Sequence, residues 1–241
     1  MDWITLIGVV ISAWAGGVLV NFLADFLPAE PSLPLGIQES RQLFRSYYPW
    51  PRKKAGIGKQ FRAWIVALLP GPLAIWLWLS PSSRLGFPLE FLTGLFFCLV
   101  VVIYIEQHRI PLPANLIGLL IALVALWRQA FPWQGWLGSL VGLFLTLLFF
   151  SGGKLFNRFF QPKRTTHHEP AVGFGDILFG AVLGLITGWP GILECLWIAL
   201  LLAGLASLIV LIYQWSRKQY RPGYILPLAP FLVLGALWVL L

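Results

Sequence analysis

Runs of about 20 apolar residues recur along this chain, and about 20 helical residues cross the hydrocarbon core of a bilayer. Inside lipid no water meets the backbone polar groups, so only helices and closed barrels can span it. A barrel reads as short alternating strands, and these runs are continuous. A composition that is 59% hydrophobic and 11% charged, with a mean hydropathy of +0.81, fits the helical solution. The expected fold is all-α: a polytopic membrane protein forming one integral membrane domain over 1–241.

Eight candidate spans follow from the apolar runs, at roughly 3–27, 61–80, 88–107, 112–130, 133–151, 174–190, 191–214 and 224–241. The first has no basic flank and no clear small-residue cleavage site, so it reads as a retained helix. The second carries Pro70 and Pro72 and should kink. The seventh holds Glu194 near its start, expected at the interface.

The basic residues set the orientation. Arg41, Arg45, Arg52, Lys53, Lys54, Lys59 and Arg62 lie in or beside the loop 28–60, and Arg109 lies in the turn after the third span. Lys154, Arg158, Lys163 and Arg164 follow the fifth span, and Arg217, Lys218 and Arg221 follow the seventh. These are 15 of the 17 Lys and Arg residues, with only Arg84 and Arg128 opposite. The positive-inside rule then places the odd-numbered loops in the cytoplasm and both termini outside. The net charge of +8 is accounted for by such loops meeting anionic lipid rather than nucleic acid. Cys98 and Cys195 fall inside apolar runs and read as small core residues. Trp3, Trp133, Trp136, Trp189 and Trp215 flank span ends as interface anchors.

Against this background two carboxylates stand out, because an acid in or near a membrane needs compensation. Asp176 is the only charge in "GFGDILFGAVLGLITG" (173–188), at the start of the sixth span. Gly180, Gly184 and Gly188 follow it at intervals of four, on one helix face. Such a stripe lets another helix approach closely, so Asp176 should face protein. Gly173 and Gly175 free the backbone where the loop meets the helix. Glu106, at the end of the third span, lies at matched depth beside His108 and Arg109, before the helix-breaking Pro111 and Pro113. Two acids sharing a proton can activate a water and protonate a leaving amine. "TTHHEP" (165–170) offers His167 and His168, but not the spacing or ligand number of a metal site. It reads as a polar loop able to contact a substrate.

The stretch 173–188 resembles the GxGD motif of type IV prepilin peptidases, GxGDxKLxAxxGxxxG, through Gly173, Gly175, Asp176, Ala181, Gly184 and Gly188, with Leu178 in place of the lysine. "GGVLVNFLADFLP" (16–28) resembles the family's opening GSFLNVVxxRLP. "IEQHRIPLPANL" (105–116) resembles its first catalytic segment, IDxxxxxIPxxL, with Pro113 seven residues after Glu106. "LPLAPFLVLGA" (226–236) resembles its last helix.

The resemblance implies eight spans, a catalytic core over 88–241 and a site facing the cytoplasm of a bacterial-type inner membrane. It implies a membrane aspartic endopeptidase that cuts basic leaders from prepilin-like substrates, using Asp176 and Glu106 and no metal or other cofactor. Two departures favour a second reading, an inactive family member serving as scaffold or substrate-binding partner. Glutamate stands for the family's first catalytic aspartate, and "SYYPWP" (46–51) has Tyr48 and Pro51 where zinc-binding cysteines would stand. The missing cysteines also speak against the methyl transfer that many members perform with S-adenosylmethionine. A transporter with Asp176 and Glu106 lining a pathway ranks third, since the other spans are almost wholly apolar.

Overall fold

The computed structural model describes residues 3–27, 57–79, 86–128, 132–160, 174–217 and 228–240. All regular structure among them is helical: α1 (Trp3–Phe26), α2 (Ile57–Leu68), α3 (Pro70–Leu79), α4 (Phe87–Gln107), α5 (Leu112–Arg128), α6 (Pro132–Phe160), α7 (Phe174–Thr187), α8 (Gly191–Ser216) and α9 (Ala229–Leu240). Most of the basic loop 28–60, with Tyr48 and Pro51, lies outside the described residues, as do Gly173, His167 and His168.

Five stretches are long and apolar enough to cross a membrane: 7–26, 62–79, 87–107, 132–152 and 191–216. Three further apolar helices, α5, α7 and α9, have 17, 14 and 12 residues. At about 1.5 Å per residue α7 is roughly 21 Å long, short of a hydrocarbon core of about 30 Å. The expected kink at Pro70 is a break: α2 ends at Leu68, Leu69 turns, and Pro70 opens α3. Proline suits a first helical position, where its missing N–H has no partner to lose. The fifth expected span extends to Phe160, nine residues past its apolar end.

The chain divides into two compact units, Met1–Ile103 and Tyr104–Leu241. In the first, one face of α1 is clamped to α2. A methyl on Gly17 would strike the backbone of Val66 and Ala67. One turn on, Asn21 Nδ2 donates to the Ala63 carbonyl (3.1 Å). A turn further, Arg62 donates through both terminal nitrogens to the Asp25 carboxylate (2.9 and 3.1 Å). Glycine, amide and acid recur at the four-residue period of one helix face. A bidentate guanidinium–carboxylate pair is the strong form of such a contact, and both side chains are largely buried.

The second unit is organised by α6 against α7. Gly138, Gly142 and Thr146 of α6 meet Gly184 and Gly180 of α7, running antiparallel. A methyl on Gly142 would fall on the Gly180 carbonyl, and one on Gly184 on the Gly138 backbone. The two backbones therefore touch along both stripes, a contact no other residue type permits. Gly188 ends α7 with φ 69°, in the left-handed region that favours glycine, and Trp189 N–H then bonds the Gln134 carbonyl (2.9 Å). α9 packs on α8 through Gly235 against Cys195 and Ala199.

Gly184→Ala should therefore destabilise the folded protein by about 1–3 kcal/mol through overpacking. Gly204→Ala, on α8 with nothing within 4 Å of the added methyl, should be neutral or slightly stabilising. Thermal unfolding of both variants in the same detergent checks the contrast.

Candidate functional site

Asp176 lies in the first turn of α7 and is 2% exposed. The glycine stripe explains its burial. With Gly180 and Gly184 pressed against α6, the position one turn earlier on that face is carried into the helix packing. A carboxylate there gains from the positive end of the helix dipole, which offsets part of its desolvation.

The backbone just before Asp176 is fixed from two directions. A methyl on Gly175 would strike the Ile110 carbonyl, in the turn between α4 and α5. Asn115 of α5, 4% exposed, donates Nδ2–H to the Gly175 carbonyl (3.0 Å). The glycine of the GxGD motif is thus needed for close approach, and Asn115 holds the carbonyl it leaves accessible.

The side chain brought to Asp176 is Tyr104. Its phenol donates to Asp176 Oδ2 across a long 3.4 Å, and both residues are 2% exposed. The Leu228 backbone, just ahead of α9, also meets this phenol. Glu106 lies two residues further along α4, about 200° around the helix from Tyr104 at 100° per residue, and its side chain is exposed. His108 and Arg109 are exposed beside it, with His108 at φ 56°. Pro113, in the first turn of α5, is also exposed. Gly175, Gly180, Gly184 and Gly188 all take part in the packing of α7 or its termination, as described above.

Sequence reasoning missed Tyr104 because it was searching for charge. A signal existed: Val100, Ile103 and Tyr104 form a buried stripe on α4, at the i, i+3, i+4 spacing of a core-facing helix surface. It also missed Asn115, whose position one turn into α5 invites a role in holding neighbouring backbone. Gly138, Gly142 and Thr146, at period four, were the legible partner of the α7 stripe.

The site as built is a buried carboxylate, a buried phenol and a backbone amide clamp. It can hold a proton between Asp176 and Tyr104 and present a fixed acid at one end of a short helix. A two-carboxylate reaction would need a second acid beside Asp176.

Magnitudes separate the roles of the tyrosine. Losing a buried aromatic ring costs about 3–5 kcal/mol, whereas a typical hydrogen bond contributes about 1 kcal/mol net. Tyr104→Phe should therefore lower stability by about 1 kcal/mol or less, and Tyr104→Ala by several. Thermal unfolding in detergent distinguishes them, and equal losses would mean that the phenol oxygen rather than the ring carries the contact. Comparison of the chain with family models, curated proteins and solved structures finds no match.

Proposed function

We propose that this protein is a multi-pass membrane protein of the prepilin-peptidase type that binds prepilin-like substrates without hydrolysing them. In this reading eight segments span a bacterial-type inner membrane, both termini lie outside and the Asp176 site faces the cytoplasm. The basic loops would draw substrate leaders and anionic lipid to the same face.

One observation carries the non-hydrolytic assignment: the Tyr104 phenol, from the α4 segment that resembles the first catalytic stretch, lies against the buried Asp176 carboxylate. A dyad works because two acids at close range split their proton affinities, so that one is ionised and the other protonated. A phenol ordinarily titrates near 10 and does not share a proton with a carboxyl on those terms. The motif supports this register as well. The pattern IDxxxxxIP is met by Ile103, Ile110 and Pro111 when Tyr104 takes the aspartate's place. That is two residues earlier than the alignment through Glu106, and it matches the Ile-Pro pair that the other alignment leaves as Leu112-Pro113.

A second reading keeps Glu106 as the partner acid and the protein as an active endopeptidase. Its support is that Glu106 lies within one turn of Tyr104, at the same end of α4, with its side chain exposed.

The test is cleavage of a prepilin-like peptide, a basic leader followed by an apolar helix, by purified full-length protein in liposomes. The wild type should bind the labelled peptide and leave it intact. Tyr104→Asp should give measurable cleavage, and the further change Asp176→Asn should abolish it. Cleavage by the wild type that disappears in Glu106→Gln would overturn this proposal in favour of the second reading.

A further inference from the structure

One polar atom of the second unit takes no part in the clamp beside Asp176: the side-chain oxygen of Asn115. Nδ2–H of the same amide donates to the Gly175 carbonyl (3.0 Å). A carbonyl only accepts, so the nitrogen faces Gly175 and the amide oxygen is turned away from it. That oxygen is buried and meets no donor among the described residues, on a side chain that is 4% exposed. A desolvated acceptor without a donor is costly, and native folds keep few of them. The amide nevertheless lies close to the surface. Its partner Gly175 is only half-buried. Phe174, one residue earlier, is 71% exposed, and Leu112, at the start of α5, is 56% exposed. Pro113 and Leu116 are exposed as well. The chain on both sides of the Asn115–Gly175 bond is thus apolar and open, with a fixed acceptor beneath it.

The chemistry of a fitting partner follows from these features. It donates one hydrogen bond and brings apolar surface with it. Backbone N–H groups inside a formed helix or sheet are already bonded. Those of a helix's first turn have no partner within the helix, and an asparagine oxygen is among the acceptors that suit them best. A basic leader followed by an apolar helix has such a turn at the junction, with apolar side chains beside it. We propose that Asn115 Oδ1 caps the first turn of the substrate's apolar helix, accepting a backbone N–H at its junction with the leader. Phe174 and Leu112 then meet the apolar side chains of that turn. This role rests on the substrate reading given above, and it is separate from the hold of Asn115 on Gly175.

The probe is the labelled prepilin-like peptide with backbone N–H groups at the junction replaced one at a time by ester oxygens. Binding to full-length protein in liposomes is read by fluorescence transfer. One ester should weaken binding about fivefold, the loss expected for a typical hydrogen bond, and its neighbours should not. Whatever the affinity of the variant itself, that ester should make no difference to Asn115→Leu, or to Asn115→Ala where the leucine variant does not fold. In the wild type, a photo-reactive leucine next to that position should label the chain at 112–116 or at Phe174. A wild type that binds every ester equally well, the result expected where water alone meets the oxygen, would overturn the proposal and leave the substrate reading standing. An ester penalty that survives in a folded Asn115 variant would also overturn it, as would labelling confined to other helices. Failure of the parent peptide to bind at all would overturn the substrate reading, and this proposal with it.

Discussion

The contact between α6 and α7 is the constraint on which the second unit depends. Gly138 and Gly142 lie on Gly184 and Gly180 with backbone against backbone. In lipid there is no hydrophobic driving force between apolar helices, so close packing and hydrogen bonds must supply the association. Glycine at both stripes lets a helix of only 14 residues hold its place. Both of its ends follow: at one Asp176 is buried beside Tyr104, and at the other Gly188 turns the chain so that Trp189 N–H meets the Gln134 carbonyl just before α8 begins. The clamp of α1 on α2 uses the same period, with a bidentate ion pair closing a stripe that begins at Gly17.

Much of this was legible in the residues. Apolar run length located nearly every helix start and end to within a few positions, because each helix must satisfy its own backbone in lipid. The four-residue interval from Asp176 to Gly188 foretold both the close approach and the burial of the acid. What was not legible has physical reasons. Helix α6 continues to Phe160 through Gly152, Gly153 and Lys154, since hydrogen bonding along a helix needs no apolar side chains.

Asp176 shows the same division. Its sequence neighbourhood identified it as a buried acid on a packing face, and the structure has it there at 2% exposure. Its partner could not be read from charge, because the partner carries none at neutral pH. Glu106 drew attention as the nearest acid at matched depth, yet two residues along a helix is more than half a turn around it. The α4 side chain that meets Asp176 is that of Tyr104. Chemistry follows the side chain that faces the site, which helix phase decides.

Thiol cross-linking tests that central claim most directly. In a background with Cys98 and Cys195 replaced by alanine, cysteines are placed in pairs at 104 and 176, or at 106 and 176, in native membranes and treated with a short bifunctional thiol reagent about as long as a tyrosine side chain, since a contact made through the phenol leaves the Cβ atoms too far apart for a direct disulfide. The account predicts efficient bridging of the 104–176 pair and little of the 106–176 pair, because residues 104 and 106 face different sides of α4. Preferential bridging of 106 to 176 would contradict it and return Glu106 to the site.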